Sequence, residues 1–217
     1  MKILVIIATH RMAINLKRNI IRLDFLLRAE GHNVEYAGIS SIDDFANYED
    51  IIKFKYKEIN TKYQLTKVCD FIQKHQKHLL NYDWFIRLRT EMFLLEPLSF
   101  KSLCTMSINA RARKYVGPKS IQYGMSTDLP SSASEIESFV EVDDQIYIFH
   151  KNVIDKGGFA GIESYNNKIT IENETVHTEF WDLRGISFNI IPINALFIRD
   201  PCWIGYQSGH LNYPSTQ

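Results

Sequence analysis

The sequence has only three cysteines, Cys69, Cys104 and Cys202, and no two of them form a CxxC pair. The motifs of zinc sites and dithiol redox sites are therefore absent. An odd number of widely spaced cysteines is more typical of a reducing compartment than of a disulfide-rich secreted domain. We therefore expect a cytoplasmic protein.

Long hydrophobic runs and an excess of charge of one sign are also missing. The opening apolar run, residues 3–8, is too short for a signal peptide or a membrane span, and no other segment is long enough. The 25 basic residues balance the 25 acidic ones, which argues against a nucleic-acid partner bound through a broad basic surface. We expect a soluble protein without a transmembrane segment, although membrane association through a neighbouring domain stays open.

Two common nucleotide-binding motifs are absent. No GxGxxG follows the first apolar run, where Thr9-His10-Arg11-Met12 stands, and the chain has no GxxxxGK[ST]. These absences exclude the dinucleotide fingerprint and the P-loop. A phosphate ligand would instead be held by arginines and by a divalent cation on carboxylates.

The hydrophobic pattern of the first hundred residues predicts alternating strands and helices. The predicted strands are 3–8, 33–37, 51–54 and one at Trp84, and the predicted helices are 12–30 and 61–79. In the first helix we expect Leu16, Ile20, Leu23 and Leu27 to be buried while Asn19 and Arg22 face elsewhere. Crossovers of this length favour parallel pairing, so we expect an α/β fold with a mixed, mainly parallel sheet flanked by helices.

The second half is less regular. Residues 117–138 contain glycines, prolines and a serine run, which predicts a long loop of the kind that often serves as a lid. A strand at 145–149, a turn at Gly157-Gly158, a helix at 174–184 and strands at 186–193 and 196–198 are predicted to follow. At 217 residues we expect one domain, with a nucleotide-binding half at 1–100 and an acceptor or sugar half at 101–217.

The segment of residues 81–91 joins an apolar run to a cluster of charges. Trp84-Phe85-Ile86 leads directly into Arg87, Arg89 and Glu91. Because a buried strand does not keep charges in its middle, we expect these three residues where the strand leaves the core, on one side of the chain if it stays extended. Two cations beside an acid indicate an anionic ligand, with a strand-end salt bridge as the alternative.

Three polar clusters follow predicted strands and should share one edge of the sheet. They are Thr9-His10-Arg11 after the first strand, residues 40–44 after the second, and Arg89-Thr90-Glu91 after the Trp84 strand. Ligands of open parallel sheets bind beyond the carboxyl ends of the strands. A shared edge therefore favours a binding site over independent salt bridges.

The order of these segments resembles that of nucleotide-sugar glycosyltransferases with the GT-A fold. Residues 50–54, 63–67 and 84–91 resemble the β-1,3-galactosyltransferase-like pattern of a DIxxxxF strand, a YNLTxK helix and an aspartate-rich metal motif. Asp143-Asp144-Gln145 resembles a strand of related transferases. The chain length and the opening strand ending in Ala8-Thr9-His10-Arg11 also resemble small glycosyltransferases of large algal viruses, which build capsid glycans.

The resemblance implies an enzyme, a glycosyltransferase that moves a hexose such as glucose from a UDP-sugar to a hydroxyl of a glycan or glycoprotein, including a viral capsid protein. It implies Mn²⁺ or Mg²⁺ as cofactor. The residues expected to bind the nucleotide are Thr9, His10, Arg11, Asp43, Asp44, Lys67, Arg87 and Arg89. The candidates for the catalytic carboxylate are Asp143, Asp144 and Glu179.

The chain departs from the family pattern at the metal motif. Arg89-Thr90-Glu91 stands where the family has a D-x-D motif, so only Glu91 is left as a carboxylate ligand. His210 is the candidate second ligand and His177 its rival, with a surface position as the ordinary explanation of either histidine. The helix motif also places Lys67 one position early.

Two other functions fit the same features. One is a nucleotide-sugar binding module with weak or lost catalysis, which the missing acids suggest. The other is a nucleotidyltransferase-type α/β enzyme, which also uses carboxylates, a metal ion and a diphosphate product. Release of UDP from a UDP-sugar separates the transferase from a binding module.

Overall fold

The computed structural model of the chain describes residues 1–9, 16–40, 45–57, 64–117, 137–162, 174–200 and 203–207. The helices are α1 (Leu16–Ala29), α2 (Gln64–Leu79), α3 (Lys151–Asp155) and α4 (Glu174–Asp182). The first strands are β1 (Lys2–Thr9), β2 (Asn33–Ser40), β3 (Phe54–Lys57), β4 (Trp84–Leu88) and β5 (Met92–Leu94). The later strands are β6 (Ile108–Gly117), β7 (Glu137–His150), β8 (Phe188–Ile190), β9 (Ala195–Asp200) and β10 (Trp203–Gln207).

The strands form two sheets. Seven of them build a large sheet in the order β3-β2-β1-β4-β7-β6-β8, and β10-β9-β5 build a small one. β1, β2, β3 and β4 are parallel, β7 runs antiparallel to β4 and β6, and β8 pairs parallel to β6. The fold is therefore a mixed, mainly parallel α/β sheet flanked by helices, as the sequence predicts.

The core has two layers because β1 is apolar on both faces. Residues 3–8 of β1 are fully buried, and their side chains alternate between the two hydrophobic clusters. The apolar stripe of α1, with Leu16, Ile20 and Leu23, belongs to one cluster, and the buried apolar residues of α2 belong to the other, together with Phe180 and Trp181 of α4. Burial on both faces is what a continuous apolar run predicts for a central strand.

Several predicted boundaries are confirmed. Gly31 ends α1 in the left-handed region, at φ 79°, as expected for a C-terminal glycine. Gly157 has φ 76° in the predicted turn at 157–158. The described helices α2 and α4 lie within the predicted ranges.

Other boundaries differ from the predictions. β2 continues to Ser40, although a loop was expected from residue 38; Gly38 leaves room for the ring of Phe45, which an added Cβ would meet at 2.6 Å. The third strand lies at Phe54–Lys57 rather than at 51–54, because exposed Lys55 and Lys57 alternate with half-buried aromatic residues on an edge strand. β6 was not predicted, and β7 begins eight residues before the expected strand at 145.

The described part of the chain contains no helix long and apolar enough to cross a membrane. Cys69 is buried and Cys104 is exposed, and neither forms a disulfide within the described residues. Cys202 lies outside the described residues.

Tyr82 and Glu35 form a contact that makes stability depend on pH. The Tyr82 hydroxyl donates a hydrogen bond to the Glu35 carboxylate, which lowers the pKa of Glu35, and Lys53 Nζ lies 3.5 Å from Glu35 Oε1. Because the folded-state pKa is depressed, this contribution is present above the ordinary pKa of 4.5 and is lost as pH falls through the folded value.

We expect Tyr82→Phe to lower the free energy of unfolding by about 1.5 kcal/mol near neutral pH and by much less in acid. Urea denaturation at neutral pH and below the folded pKa of Glu35 measures the difference. Tyr48→Phe is the matched control, since its half-buried ring contacts Phe45 edge-on and involves no carboxylate in the described contacts. An equal loss at both pH values would contradict the role given to Glu35.

Candidate functional site

The carboxyl ends of three strands meet at one edge of the large sheet. Thr9 pairs with Ser40 at the end of β1 and β2, and Ile7 pairs with Leu88 at the end of β4. The chain leaves β1 for β2 on one side and reaches β4 on the other, so strand order reverses between β1 and β4. Such a switch point forms the crevice in which open α/β sheets bind ligands. The predicted common edge is therefore confirmed for the described residues.

A tight turn at this edge carries the charged residues that follow β4. The Met92 amide donates to the Arg89 carbonyl at 3.2 Å, and the Arg89 amide donates to the Gln145 carbonyl at 2.9 Å. The turn passes the chain from β4 of the large sheet to β5 of the small sheet. Residues 89–91 thus lie in a connection between the two sheets that is held by a hydrogen bond within the turn and by one to β7.

Arg89 lies between two carboxylates. Its Nη1 is 3.3 Å from Asp144 Oδ2, and its Nη2 is 3.6 Å from Glu91 Oε1. The Thr90 hydroxyl donates to Glu91 Oε2 at 3.0 Å. The side chains of Arg89, Glu91 and Asp144 are 17%, 7% and 13% exposed, so these pairs are shielded from bulk water. Three residues singled out from the sequence are therefore in one cluster.

An irregularity in β7 places Asp144 in this cluster. Ala110 of β6 pairs with Tyr147, but Ala112 pairs with Val142, so four residues of β7 lie opposite Arg111 alone. Buried Arg111 donates from Nη2 to Gln145 Oε1 at 3.3 Å. Bulges of this kind often redirect side chains beside functional sites.

Arg87 was expected where the strand leaves the core, and this prediction is wrong. It is inside β4 and fully buried, because Gln64 provides one acceptor for it within the core. Its Nη2 donates to Gln64 Oε1 at the start of α2, and its guanidinium carbon is 5.5 Å from the centre of the Tyr147 ring. Its Nε and Nη1 make no hydrogen bond in the described part of the chain.

Lys67 and Thr9, both predicted to bind the nucleotide, are in contact. Lys67 is fully buried in α2, and its Nζ donates to the Thr9 carbonyl at 3.2 Å. Burial of an ammonium group is costly unless it is paired, so this bond positions the end of β1. The described contact is structural, and nucleotide binding by Lys67 stays a prediction.

Helix α1 holds the turn through side chains that were expected to face elsewhere. Asn19 is buried and donates from Nδ2 to the Thr90 carbonyl at 2.8 Å. Arg22 donates to the carbonyls of Leu94 and Leu95, at 3.3 and 2.8 Å. Asn19 is three residues after Leu16 and one before Ile20, so its helical spacing could have placed it on the buried face.

The remaining predicted residues are only partly described. Glu179 is exposed on α4, and its neighbour Thr178 accepts a hydrogen bond from the Val142 amide at 3.1 Å, which puts this turn of α4 beside β7. The backbone of Asp143 lies in β7, whereas its side chain is outside the description. Four nucleotide-binding candidates and one metal candidate lie outside the described residues: His10, Arg11, Asp43, Asp44 and His210.

His177 is not a surface residue. It is fully buried in α4, where its ring lies 5.8 Å from that of Trp181 and 6.2 Å from that of Tyr147. The aromatic residues of the helix and of β7 enclose it. Its contacts are those of a core histidine.

The described residues do not form a divalent-cation site. They contain no group of three or more histidine, cysteine, aspartate and glutamate side chains that could hold a metal ion. Glu91 Oε1 faces Arg89 and Oε2 accepts from Thr90. An ion about 2.1 Å from Oε1 would lie within about 6 Å of the guanidinium, with roughly 6 kcal/mol of repulsion at an effective dielectric constant of 20. The arrangement of Glu91 fits a guanidinium better than Mn²⁺ or Mg²⁺.

No protein-family model and no curated protein matches the sequence. One similar solved structure is a glycosyltransferase involved in the glycosylation of the major capsid of PBCV-1, with 11% identity and a TM-score of 0.46, over 88% of this chain and 81% of that one. A second is a mutant Drosophila β-1,4-galactosyltransferase 7 in complex with manganese, UDP-Gal and xylobiose, with 10% identity and a TM-score of 0.48, over 87% and 64%.

A third is a nucleoside-diphosphate-sugar pyrophosphorylase from Vibrio cholerae, with 12% identity and a TM-score of 0.48, over 92% of this chain and 96% of that one. This chain thus spans less than two thirds of the galactosyltransferase.

Proposed function

We propose that this chain is a glycosyltransferase that moves a sugar, in the first instance a hexose, from a UDP-sugar to an acceptor hydroxyl. The observation that carries the proposal is the cluster of Arg89, Asp144 and Glu91 at the switch-point edge of the sheet. It combines a fixed cation for a leaving diphosphate with carboxylates at the place where such folds bind ligands. The resemblance of the sequence to the GT-A glycosyltransferases supports the same chemistry.

In the overall transfer the bond between the anomeric carbon and the diphosphate oxygen breaks, and its electron pair leaves with the diphosphate. A bond from the acceptor oxygen to the anomeric carbon replaces it, and the acceptor hydroxyl loses its proton to a base. Arg89 is held at the edge by Asp144 and Glu91, so its position is set before the ligand arrives. Fixed donors aimed at developing charge typically contribute about 3 to 4 kcal/mol each to transition-state stabilisation. Asp143, Asp144 and Glu179 are the candidates for the carboxylate that acts on the acceptor hydroxyl or at the anomeric carbon.

We assign nucleotide binding to residues 1–100 and sugar and acceptor binding to residues 101–217. A divalent ion, when bound, would neutralise diphosphate charge, but the oxygens of Glu91 are directed to Arg89 and Thr90. The acceptor we propose is a glycan or glycoprotein hydroxyl. The resemblance to algal-virus enzymes extends this class to viral capsid glycans.

Thermal unfolding with UDP, GDP and CMP tests the proposal. Saturation with UDP at about 100 times its Kd should add ~2.7 kcal/mol, or roughly 5 to 10 °C in Tm at this chain length. UDP release from UDP-hexoses, measured with and without a glycan acceptor, then tests for transfer. No shift with any nucleotide would contradict the proposal.

The same assay decides between the transferase and a nucleotide-sugar binding module. The binding module is favoured by one observation, the engagement of both Glu91 oxygens in contacts with Arg89 and Thr90. Binding of UDP-sugar without release of UDP would support the module. Stimulation of UDP release by an acceptor would support the transferase.

A further inference from the structure

We infer that the diphosphate of the nucleotide is bound by guanidinium groups and does not need a divalent cation. The inference rests on the proposed function and specifies its donor site. Arg89 occupies the space between Asp144 and Glu91, and Arg87, two residues earlier in the chain, supplies further buried donors. The ligand class is a nucleoside diphosphate, free or bonded to a sugar.

The geometry of Arg89 gives the first part of the inference. A metal ion in this turn would bridge two carboxylates. Here the Arg89 guanidinium bridges them, with Nη1 3.3 Å from Asp144 Oδ2 and Nη2 3.6 Å from Glu91 Oε1. The second oxygen of Glu91 accepts a hydrogen bond from the Thr90 hydroxyl. The Glu91 carboxylate therefore orients Arg89, and the positive charge in this turn is that of the Arg89 side chain.

The environment of Arg87 gives the second part. A guanidinium carries five N–H donors, and burial of unsatisfied donors is costly. Arg87 is fully buried, Gln64 accepts from its Nη2, and Nε and Nη1 have no acceptor among the described residues. Phosphate oxygens are the acceptors that match a guanidinium in both charge and geometry. A fixed donor of this kind is consistent with an anion site at the end of β4.

The test is the binding of UDP to the full chain, measured by calorimetry with excess EDTA and again with Mn²⁺. We expect the two dissociation constants to agree within about twofold. We also expect UDP affinity to fall as salt is raised, because the contact is ionic. A gain of tenfold or more on addition of Mn²⁺ would overturn the inference.

A substitution at Glu91 separates the two arrangements further. Glu91→Gln removes the charge of the carboxylate that orients Arg89, so guanidinium binding predicts the same change in UDP affinity, within about twofold, with Mn²⁺ and with EDTA. Binding through a metal on Glu91 predicts a loss of tenfold or more that occurs with Mn²⁺ and not with EDTA, which would contradict the inference. Glu96→Gln is the matched control, since Glu96 is exposed and accepts a hydrogen bond from Asn194 at 2.7 Å.

The outcomes distinguish this inference from the proposed function. Binding of UDP that requires Mn²⁺ overturns the inference and leaves the glycosyltransferase proposal in place. Absence of UDP binding in both conditions overturns both. If Glu91→Gln does not fold, the comparison of Mn²⁺ with EDTA on the unaltered chain decides by itself.

Discussion

Replacement of Arg89 by glutamine is expected to weaken UDP binding by about 10-fold to 100-fold. The loss corresponds to one or more charge-assisted hydrogen bonds, each worth roughly 1.5 to 3 kcal/mol, with tenfold in affinity for every ~1.4 kcal/mol. Arg89→Lys should keep part of the affinity, because it retains the charge but loses the bidentate geometry. Calorimetric titration of the variants with UDP measures the effect.

The same substitution should also destabilise the fold. Without the guanidinium, Asp144 and Glu91 lose a shared cation, and breaking a shielded ion pair on one side typically costs about 3 kcal/mol. Urea denaturation of the ligand-free protein gives this value. Arg28→Gln is the matched control, since Arg28 pairs with Asp24 on the solvent-facing side of α1. Exposed pairs of this kind contribute below about 1 kcal/mol. Unchanged UDP affinity in Arg89→Gln would contradict the site assignment.

Replacement of Arg87 by methionine is expected to act in opposite directions on stability and on binding. Exchange of a buried ionic group for an apolar side chain of similar size is often neutral or stabilising by roughly 1 to 4 kcal/mol. Arg87 is fully buried with two nitrogens that lack acceptors in the described residues, so its burial should be unfavourable in the absence of ligand. We expect Arg87→Met to be at least as stable as the original chain and to bind UDP at least tenfold more weakly.

One contact of Arg87 works against the gain in stability. Gln64 Oε1 loses the hydrogen bond from the Arg87 guanidinium in Arg87→Met, and a hydrogen bond to a charged group is worth roughly 1.5 to 3 kcal/mol. The double variant Arg87→Met with Gln64→Leu removes both partners and should recover that cost. If both variants unfold at lower urea concentrations and still bind UDP normally, Arg87 serves the fold and not the ligand.

The sequence predicts the fold best where one physical signal dominates. The apolar run of β1 has no competing interpretation, and the stripe at Leu16, Ile20 and Leu23 has helical spacing. β6 was missed because Arg111, Arg113 and Lys114 interrupt its apolar pattern. Its pairing with β7, which gives that strand its length, is a long-range contact without a local sequence signal.

The sequence predicted where the site residues lie more accurately than which side chains they contact. Strand ends gave the location of Thr9 and Arg89, since the edge of a parallel sheet follows from strand order alone. The pairing of Arg89 with Asp144 depends on the register change in β7, which no spacing rule predicts. Burial of Arg87 and Asn19 was missed because a polar residue type indicates exposure unless its partners, Gln64 and the Thr90 carbonyl, are known.

The hydrogen bonds from α1 to the segment between β4 and β5 have a consequence for which substitutions this segment can accept. Asn19 and Arg22 end on the main-chain oxygens of Thr90, Leu94 and Leu95, which every amino acid possesses. The path of the backbone therefore does not depend, through these bonds, on which side chains residues 90, 94 and 95 carry. Lineages, or protein engineers, could exchange the residues at 89 and 91 for two aspartates and test a metal-dependent version on the same scaffold.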